Sequence, residues 1–330
     1  RMHTSFYQQL VEIDGALFEG FLVLFFALLL ARLAPLPREM QPLIWFGHLA
    51  KQLAAKVNRP ERSPSQQATA GFLAMMLLLF PFWAIITFLL ELAAFPWFFE
   101  FLVLYLCLTD AGFSQVADEI AKALKRGDNA SAKKLLQPCV VRDTDSLSEI
   151  GLAKATIEKL ATAPIYGTAS TIFFFAIAGA PLVLAVRMLK QLELSWPPIQ
   201  PKYQHFCSTV NGVSIILLAI PAWLWSLSLA IQGGPKAFAK LFRAPKNHHA
   251  IRGYVLSVNL VASILRIELG GPQKFAGVRI NVDKLCYGPQ PTCDDITPAI
   301  KLTSRACAIW FSFIIILPLL WASLRWLQSL

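Results

Sequence analysis

Long uncharged stretches, separated by shorter segments rich in charge, dominate the pattern of the chain. A bilayer core about 30 Å thick is crossed by about 20 helical residues, because each residue rises about 1.5 Å. The apolar stretches of this length are 16–34, 69–108, 160–186, 207–234 and 306–324. The forty residues of 69–108 suit a helical hairpin that turns near 91–96. The pattern therefore predicts about six transmembrane helices.

Two further patterns indicate amphipathic helices outside the spans. In 43–57, Trp45, Leu49, Leu53 and Val57 recur every four residues, which predicts a helix on the membrane surface. The segment 254–265 is apolar but short, so it either packs against the bundle or re-enters the membrane.

The segment 110–159 has a different composition from its neighbours. It holds eight acidic and eight basic residues, and its apolar positions are periodic instead of continuous. The order Ser146-Leu147-Ser148-Glu149 fits a capping box at the start of a helix. We therefore predict a cytoplasmic helical insert at 110–159. A second cytoplasmic or interfacial segment is predicted at 235–305, with 270–295 as an irregular loop.

Composition and charge support the membrane interpretation. The chain is 56% hydrophobic and only 15% charged, whereas soluble proteins carry about 25% charged residues. Its net charge of +10 is concentrated in 38–62 and 236–252, beside apolar stretches, as the positive-inside rule expects for cytoplasmic loops. Nucleic-acid binding is disfavoured, because it needs a basic soluble surface. We predict an all-α, multi-pass membrane protein whose basic loops face the cytoplasm, with one membrane domain over 1–330; no oligomer interface is specified.

The most distinctive polar run is Arg142-Asp143-Thr144-Asp145. One interpretation is structural, with helix capping by the short polar side chains and an ion pair made by the arginine. The other is functional, with phosphate or Mg²⁺ bound at a helix N-terminus. Both interpretations remain open at this point.

This run belongs to a series of motifs that resembles the CbiB/CobD family of cobalamin biosynthesis. The matching segments follow one another as 42–47, 127–134, 141–147, 151–160, 179–187, 202–206, 221–222, 269–272 and 295–306. Among them are the Arg-Asp-Thr of 142–144 and the Leu-Gly-Gly-Pro of 269–272. The resemblance is collinear over nearly the whole chain.

The resemblance implies an ATP- and Mg²⁺-dependent amide ligase that joins adenosylcobyric acid, a corrinoid, to aminopropanol or its phosphate. Carried over by position, the catalytic residues implied are Arg142, Asp143, Thr144, Arg187 and Glu193. The substrate-binding residues implied are Tyr203, His249, Gly270 and Gly271. Asp143 and Asp145 are the implied metal ligands.

Some positions depart from the family pattern and support an alternative. Where the family is expected to have a Glu-Asn pair followed by Asp, this chain has Thr162, Ala163 and Tyr166. Ser214 and Ile215 replace a pair of aspartates expected before Pro221. The AmpE-like membrane proteins resemble this family in their membrane scaffold but have divergent polar residues. The alternative is therefore a non-catalytic AmpE-like regulator or scaffold.

Overall fold

The computed structural model describes residues 6–243 and 252–330, and the chain is all-α, with 76% of it helical. The helices are α1 (Phe6–Leu33), α2 (Pro42–Val57), α3 (Pro64–Leu92), α4 (Pro96–Cys107), α5 (Phe113–Lys125), α6 (Asn129–Leu136), α7 (Glu149–Pro164), α8 (Ser170–Ala178), α9 (Ala180–Ser195), α10 (Ser208–Lys240), α11 (Arg252–Leu265) and α12 (Ile296–Gln328). A π-helical turn, Ile165–Ala169, joins α7 to α8.

Four helical stretches of the described residues are long and apolar enough to cross a membrane. They are Pro64–Leu92, Glu149–Ala178, Ser208–Lys240 and Cys293–Gln328. The predicted number of six is not confirmed. The second arm of the predicted hairpin, α4, has only 12 residues and is short for a bilayer crossing. The hairpin turn itself falls where it was predicted, between α3 and α4.

Glycine and proline set the breaks in the long helices. Gly179 has φ of +77°, which ends α8, and Pro181 lies in the first turn of α9, where its missing N–H costs nothing. Gly234, with φ of +78°, kinks α10. The cap of α7 is Ser148, whose hydroxyl accepts the Gly151 N–H at 3.3 Å. The predicted capping box that begins at Ser146 is therefore wrong, because the helix is capped two residues later, by Ser148.

The described part of the bundle contains two large hydrophobic cores and one smaller cluster. The first is built mainly from α1 to α4, α9 and the beginning of α10, and the second mainly from α5 to α7 and α10 to α12. Each core contains a fully buried tryptophan. The Trp196 indole N–H donates to the Ala50 carbonyl at 2.9 Å, and the Trp225 indole N–H donates to the Ala161 carbonyl at 2.8 Å. These bonds fix α9 to α2 and α10 to α7.

Two local predictions need correction. The buried face of α2 is formed by residues that include Phe46, Ala50 and Ala54, whereas Trp45 is 56% exposed. The predicted stripe lies beside this face, since Leu49, Leu53 and Val57 are partly buried against the first core; it missed the face itself because small alanines carry little weight in a hydrophobic pattern. The segment 270–295, predicted to be irregular, contains strands β2 (Gln273–Phe275), β3 (Val278–Ile280) and β4 (Lys284–Cys286).

The strands form two small antiparallel pairs that continue from α11. Strand β1 (Glu268–Gly270) pairs with β4, and β2 pairs with β3, so one hairpin lies inside the other. The inner turn uses Ala276 and Gly277, both with positive φ. Strands of three residues carry little hydrophobic periodicity, which is why the sequence pattern missed them.

Candidate functional site

A cavity of about 720 Å³ is lined by residues from both cores, including Ala31 and Leu108 of the first and Phe113 of the second. This volume is typical of small-molecule sites, which range over about 300–1,000 Å³. Its charged lining residues are Arg38, Lys51, Asp110, Glu119, Lys159, Arg187 and Lys202. Five cations against two carboxylates give a lining that favours an anion.

Arg187 is the most buried cation of this lining, with 4% of its surface exposed. It extends from α9, and its Nη2 donates to the Thr109 hydroxyl at 2.9 Å, while its Nη1 donates to the Gln191 amide oxygen at 3.3 Å. Its Nε, like that of Arg142, is buried and has no hydrogen-bond partner within the described part of the chain. Among the side chains that the structure describes, no carboxylate forms an ion pair with it.

Gly47 of α2 makes room for this arrangement. A Cβ atom at position 47 would lie 2.7 Å from the Gln191 amide nitrogen and 3.0 Å from the Ser195 hydroxyl oxygen. Since Gln191 holds one arm of the Arg187 guanidinium, the close approach of α2 to α9 fixes the side chain that orients Arg187.

The π-helical turn contributes three consecutive residues to the site: Tyr166, Gly167 and Thr168. The ring centre of Tyr166 lies 5.2 Å from the Lys159 ammonium, from the Arg187 guanidinium and from the Lys190 ammonium. The Lys159 ammonium also donates a hydrogen bond to the Tyr166 hydroxyl. Such turns insert one residue into a helix and are frequent at functional sites. Here the turn brings an aromatic ring close to cations from two helices.

The same turn also accommodates Asp110. A Cβ atom at Gly167 would lie 2.0 Å from the Asp110 Oδ1 atom, so only glycine fits against this carboxylate. The Thr168 hydroxyl donates to the Asp110 Oδ2 atom at 2.8 Å, whereas Oδ1 is buried without a partner. Burial raises the pKa of Asp110 above its ordinary value, although the Thr168 hydrogen bond acts in the opposite direction.

Lys190 and Glu193 form a separate buried ion pair on α9. Their ammonium and carboxylate groups are 2.7 Å apart, and Lys190 also lies 4.2 Å from the ring centre of Tyr254. The second oxygen of Glu193 is buried without a partner. Thus, of the three cations around Tyr166, Lys190 has a carboxylate partner.

A second polar cluster connects the segment 142–144 to the strands. The Arg142 guanidinium pairs with Glu158 at 3.3 Å, and the other oxygen of Glu158 accepts the Gly270 N–H at 2.7 Å. Nearby, Lys154 pairs with Glu268 at 3.2 Å. The Lys154 ammonium donates a hydrogen bond to the Glu268 carboxylate, and this bond is the main reason why the pKa of Glu268 is below its ordinary value. We call these five residues the Arg142 cluster.

Asp143 and Thr144 make local contacts beside that cluster. The Asp143 carboxylate accepts the N–H groups of Ala276 at 3.1 Å and Gly277 at 2.9 Å, so it closes the β2–β3 turn. The Thr144 hydroxyl donates to the Gln137 amide oxygen at 2.7 Å. The short polar side chains of this run therefore act within the fold, as anchors of a turn and a loop.

The structure divides the predicted site residues between these places. Arg187 and Tyr203 line the cavity. Arg142, Asp143, Thr144 and Gly270 lie in or beside the Arg142 cluster, and the Gly271 N–H donates to the Asp283 carbonyl at 3.4 Å. Glu193 pairs with Lys190, and Asp145 is exposed. His249 lies outside the described residues. The catalytic and binding roles of all of them stay predictions.

The metal prediction for Asp143 and Asp145 also stays a prediction. Within residues 6–243 and 252–330, no group of three or more His, Cys, Asp and Glu side chains could hold a metal ion. Mg²⁺ does not require such a group, because it keeps several waters and is held by one or two carboxylates together with substrate phosphates.

Sequence reasoning missed Lys159, Asp110 and the role of Tyr166. Lys159 is the last residue of the predicted insert at 110–159, but α7 continues through it into a membrane-length helix. Tyr166 was noticed only as a departure from a family pattern. One signal was available: Lys159 and Tyr166 are seven residues apart, which places them on one face of a helix two turns apart.

Comparisons with known proteins give a consistent result. Residues 24–303 match the family described as CobD/Cbib protein. The chain is 30% identical over 289 residues to a protein of Chromobacterium violaceum named cobalamin biosynthesis protein CobD, covering 86% of this chain and 92% of that protein. It is 28% identical over 294 residues to a protein of the same name from Stutzerimonas stutzeri, covering 88% and 95%.

A third relative carries the other family name. Cobalamin biosynthesis protein CbiB of Salmonella typhimurium is 25% identical to this chain over 287 residues, covering 83% of this chain and 89% of that protein. No solved structure matches the chain.

Proposed function

This chain belongs to the CobD/Cbib protein family, and we propose that it is an amide ligase of corrinoid nucleotide-loop assembly. In this proposal it joins adenosylcobyric acid to aminopropanol or its phosphate, using ATP and Mg²⁺. The observation that carries the proposal is Arg187, a buried guanidinium on the lining of a cation-rich cavity that forms no ion pair with any carboxylate the structure describes. A ligase that activates a carboxylate with phosphate needs such a group.

The chemistry required matches the charges of the lining. When an amide forms from a phosphate-activated carboxylate, negative charge develops on the leaving phosphate, and fixed cations stabilise it. The attacking amine must also lose a proton. Asp110, a partly buried carboxylate of the lining with a raised pKa, is suited to accept that proton. In this proposal Arg187 binds the activated group and Asp110 serves the amine.

The charged residues of the cavity lining are suited to bind ATP and Mg²⁺. The phosphates of ATP would be held by the lining cations, and Mg²⁺ would enter with them. Glu119 is an exposed carboxylate on the lining that could complete the coordination of such an ion. Bound there, Mg²⁺ would neutralise charge on the transferred phosphate.

We also propose that the protein spans the bacterial inner membrane, with the cavity open to the cytoplasm. Arg38 and Lys51 line the cavity and lie in the basic segment that the positive-inside rule assigns to the cytoplasmic side. The four long apolar helices supply the membrane crossings in this proposal. ATP and the corrinoid would then reach the site from the same compartment.

The test is direct synthesis. Purified protein in detergent is incubated with adenosylcobyric acid, aminopropanol phosphate, ATP and Mg²⁺, and the amide product is measured by mass spectrometry. We expect product in wild type and none in reactions without ATP. Absence of product in the complete reaction would contradict the proposal.

A second candidate function is a non-catalytic membrane regulator or scaffold. It is favoured by the contacts of Arg142, Asp143 and Thr144, which are all made within the protein. Complementation separates the two candidates. Growth of a ligase-deficient strain on cobyric acid, restored by this gene, supports the ligase, whereas failure of a well-expressed protein to restore growth supports the regulator.

A further inference from the structure

Three cations surround the ring of Tyr166, but their charges are balanced differently. Lys190 pairs with Glu193 at 2.7 Å. Neither Lys159 nor Arg187 forms an ion pair with any carboxylate among the described side chains. Both of these unpaired cations line the cavity. The two side chains therefore carry positive charge into the same space without a direct ion-pair partner among the described residues, although Asp110 interacts with Arg187 at longer range.

Unpaired charge in a partly desolvated position is costly, since ions lose hydration when they are buried. Arg187 also retains an unused donor, because its buried Nε has no partner. Lys159 spends one of its three possible donors on the Tyr166 hydroxyl. The pair thus keeps both charge and hydrogen-bonding capacity for a ligand.

The charge of the pair indicates which ligand. A carboxylate carries one negative charge, whereas a phosphate monoester carries about −1.5 to −2 at pH 7 and three acceptor oxygens. A guanidinium binds such oxygens through its planar fork, and a lysine serves as a point charge. One arginine and one lysine close to a common aromatic ring match a phosphoryl group better than a carboxylate.

We propose that Lys159 and Arg187 together bind the phosphoryl group of a small molecule, and that Tyr166 positions Lys159 for this contact. The inference rests on the proposed function only for the identity of the ligand, which would be the phosphate of the amine substrate or of the nucleotide. Tyr166 is a positioning residue: its hydroxyl accepts the hydrogen bond that orients the ammonium, and its ring lies near both cations.

The test measures binding without corrinoid and without turnover. Full-length protein in detergent is titrated calorimetrically with inorganic phosphate, aminopropanol phosphate, and ATP in the absence of Mg²⁺. A fourth arm compares nanodiscs with and without phosphatidylglycerol, which shows whether a lipid headgroup competes for the site. The probe that binds most tightly identifies the source of the phosphoryl group.

Variants locate the binding. Loss of one charge-assisted contact corresponds to about a ten- to hundredfold loss of affinity, which we expect for Lys159→Met and for Arg187→Met. Tyr166→Phe keeps the ring but removes the acceptor, so a smaller loss is expected, and Lys159→Arg should retain binding. The matched controls are Lys125→Met and Arg126→Met on the exposed surface of the α5 end, which should bind as wild type does.

The outcomes separate this inference from the ligase proposal. If no phosphate probe binds, or if Lys159→Met and Arg187→Met bind with wild-type affinity, the inference is wrong even when amide synthesis succeeds. If the phosphate probes bind and the two variants lose affinity, the inference stands even when synthesis fails. Should Lys159→Met lose its monodisperse elution in detergent, Arg187→Met decides the question, because wild-type affinity in that variant would overturn the inference. Wild-type affinity in Tyr166→Phe would contradict the positioning role of Tyr166.

Discussion

Two buried arginines of this protein have opposite surroundings. Arg142, 8% exposed, pairs with Glu158, which in turn holds the Gly270 backbone of β1. Arg187, 4% exposed, donates hydrogen bonds to a threonine hydroxyl and a glutamine amide, forms no ion pair with a described carboxylate and faces a cavity. The first belongs to the most distinctive polar motif of the sequence, whereas the second is a single charge beside an apolar stretch. A distinctive sequence motif therefore does not identify which buried arginine is available to bind a ligand.

The difference has an energetic meaning. A buried ion pair is compensated internally, and removing one partner strands the other charge. A buried cation with neutral partners destabilises the folded protein until an anion binds to it. Such a loss of stability is common at functional sites. The Arg142 cluster should therefore behave as structure and the Arg187 cavity as a binding site. The predictions below test this contrast.

The largest effect is expected from Arg142→Met. Because Glu158 would be left buried without its cation, we expect a loss of about 3–5 kcal/mol in the free energy of unfolding. Thermal unfolding of the detergent-solubilised protein measures it. The double variant Arg142→Met/Glu158→Gln, which removes both charges, should recover part of the loss. An equally unstable double variant would show that the ion pair is not the cause.

A smaller effect is expected from Asp143→Ala. The N–H groups of Ala276 and Gly277 would lose their carboxylate acceptor but could still bond to water, so we expect a loss of roughly 1–2 kcal/mol. Hydrogen exchange in 273–280 should accelerate. If exchange is unchanged while Mg²⁺ dependence of activity is lost, Asp143 belongs to the functional region and the contrast is broken.

The sequence predicted the large elements of the fold because they depend on long patterns. The all-helical class and the hairpin of α3 and α4 follow from apolar length. The number of spans did not follow, because α4 is short and the predicted insert at 110–159 ends inside the continuous helix Glu149–Ala178. The short strands after α11 depend on tertiary pairing, which local patterns do not record.

The candidate site was harder to predict than the fold. Resemblance selected Arg187 and Tyr203, which line the cavity, together with Arg142 and Gly270, which lie elsewhere. Which of these charges finds a partner depends on residues far apart in sequence, such as Glu158 and Gly270. The π-helical turn at 165–169 also leaves no periodic signature, although it places Tyr166, Gly167 and Thr168 around the site.

A third prediction concerns pH and sharpens the contrast at the cavity. The raised pKa of Asp110 means that the folded state favours its protonated form. Its stabilising contribution is complete below the unfolded value of about 3.9 and is lost as the pH rises through the folded value. Arg32, Arg187 and Cys307 also interact electrostatically with it. Relative to Asp110→Asn, wild type should become less stable between pH 4 and pH 8.

This comparison of melting temperatures has an internal reference. The pKa of Glu268 in the Arg142 cluster is lowered, so its contribution is present above the unfolded value and is lost as the pH falls. Glu268→Gln should therefore show the opposite trend relative to wild type. A constant difference between wild type and Asp110→Asn over the whole range would contradict the burial of Asp110.

The smallest effect is expected at the exposed surface. Lys122 and Asp118 form an ion pair on α5 at 3.0 Å, with side chains 68% and 46% exposed. Such pairs contribute about 0.5 kcal/mol or less. Lys122→Ala should leave the melting temperature nearly unchanged, which calibrates the effects of the buried charges. A loss comparable to that of Arg142→Met would mean that charge removal destabilises this protein regardless of burial.

The most direct test of the central claim is the stability of Arg187→Met in phosphate-free buffer, compared with wild type and Arg142→Met. If Arg187 is an uncompensated cation that awaits an anion, its replacement by an apolar side chain should leave the melting temperature equal to or above that of wild type, while Arg142→Met falls. A fall in Arg187→Met as large as that in Arg142→Met would contradict the account, because it would show that Arg187 is already balanced within the fold.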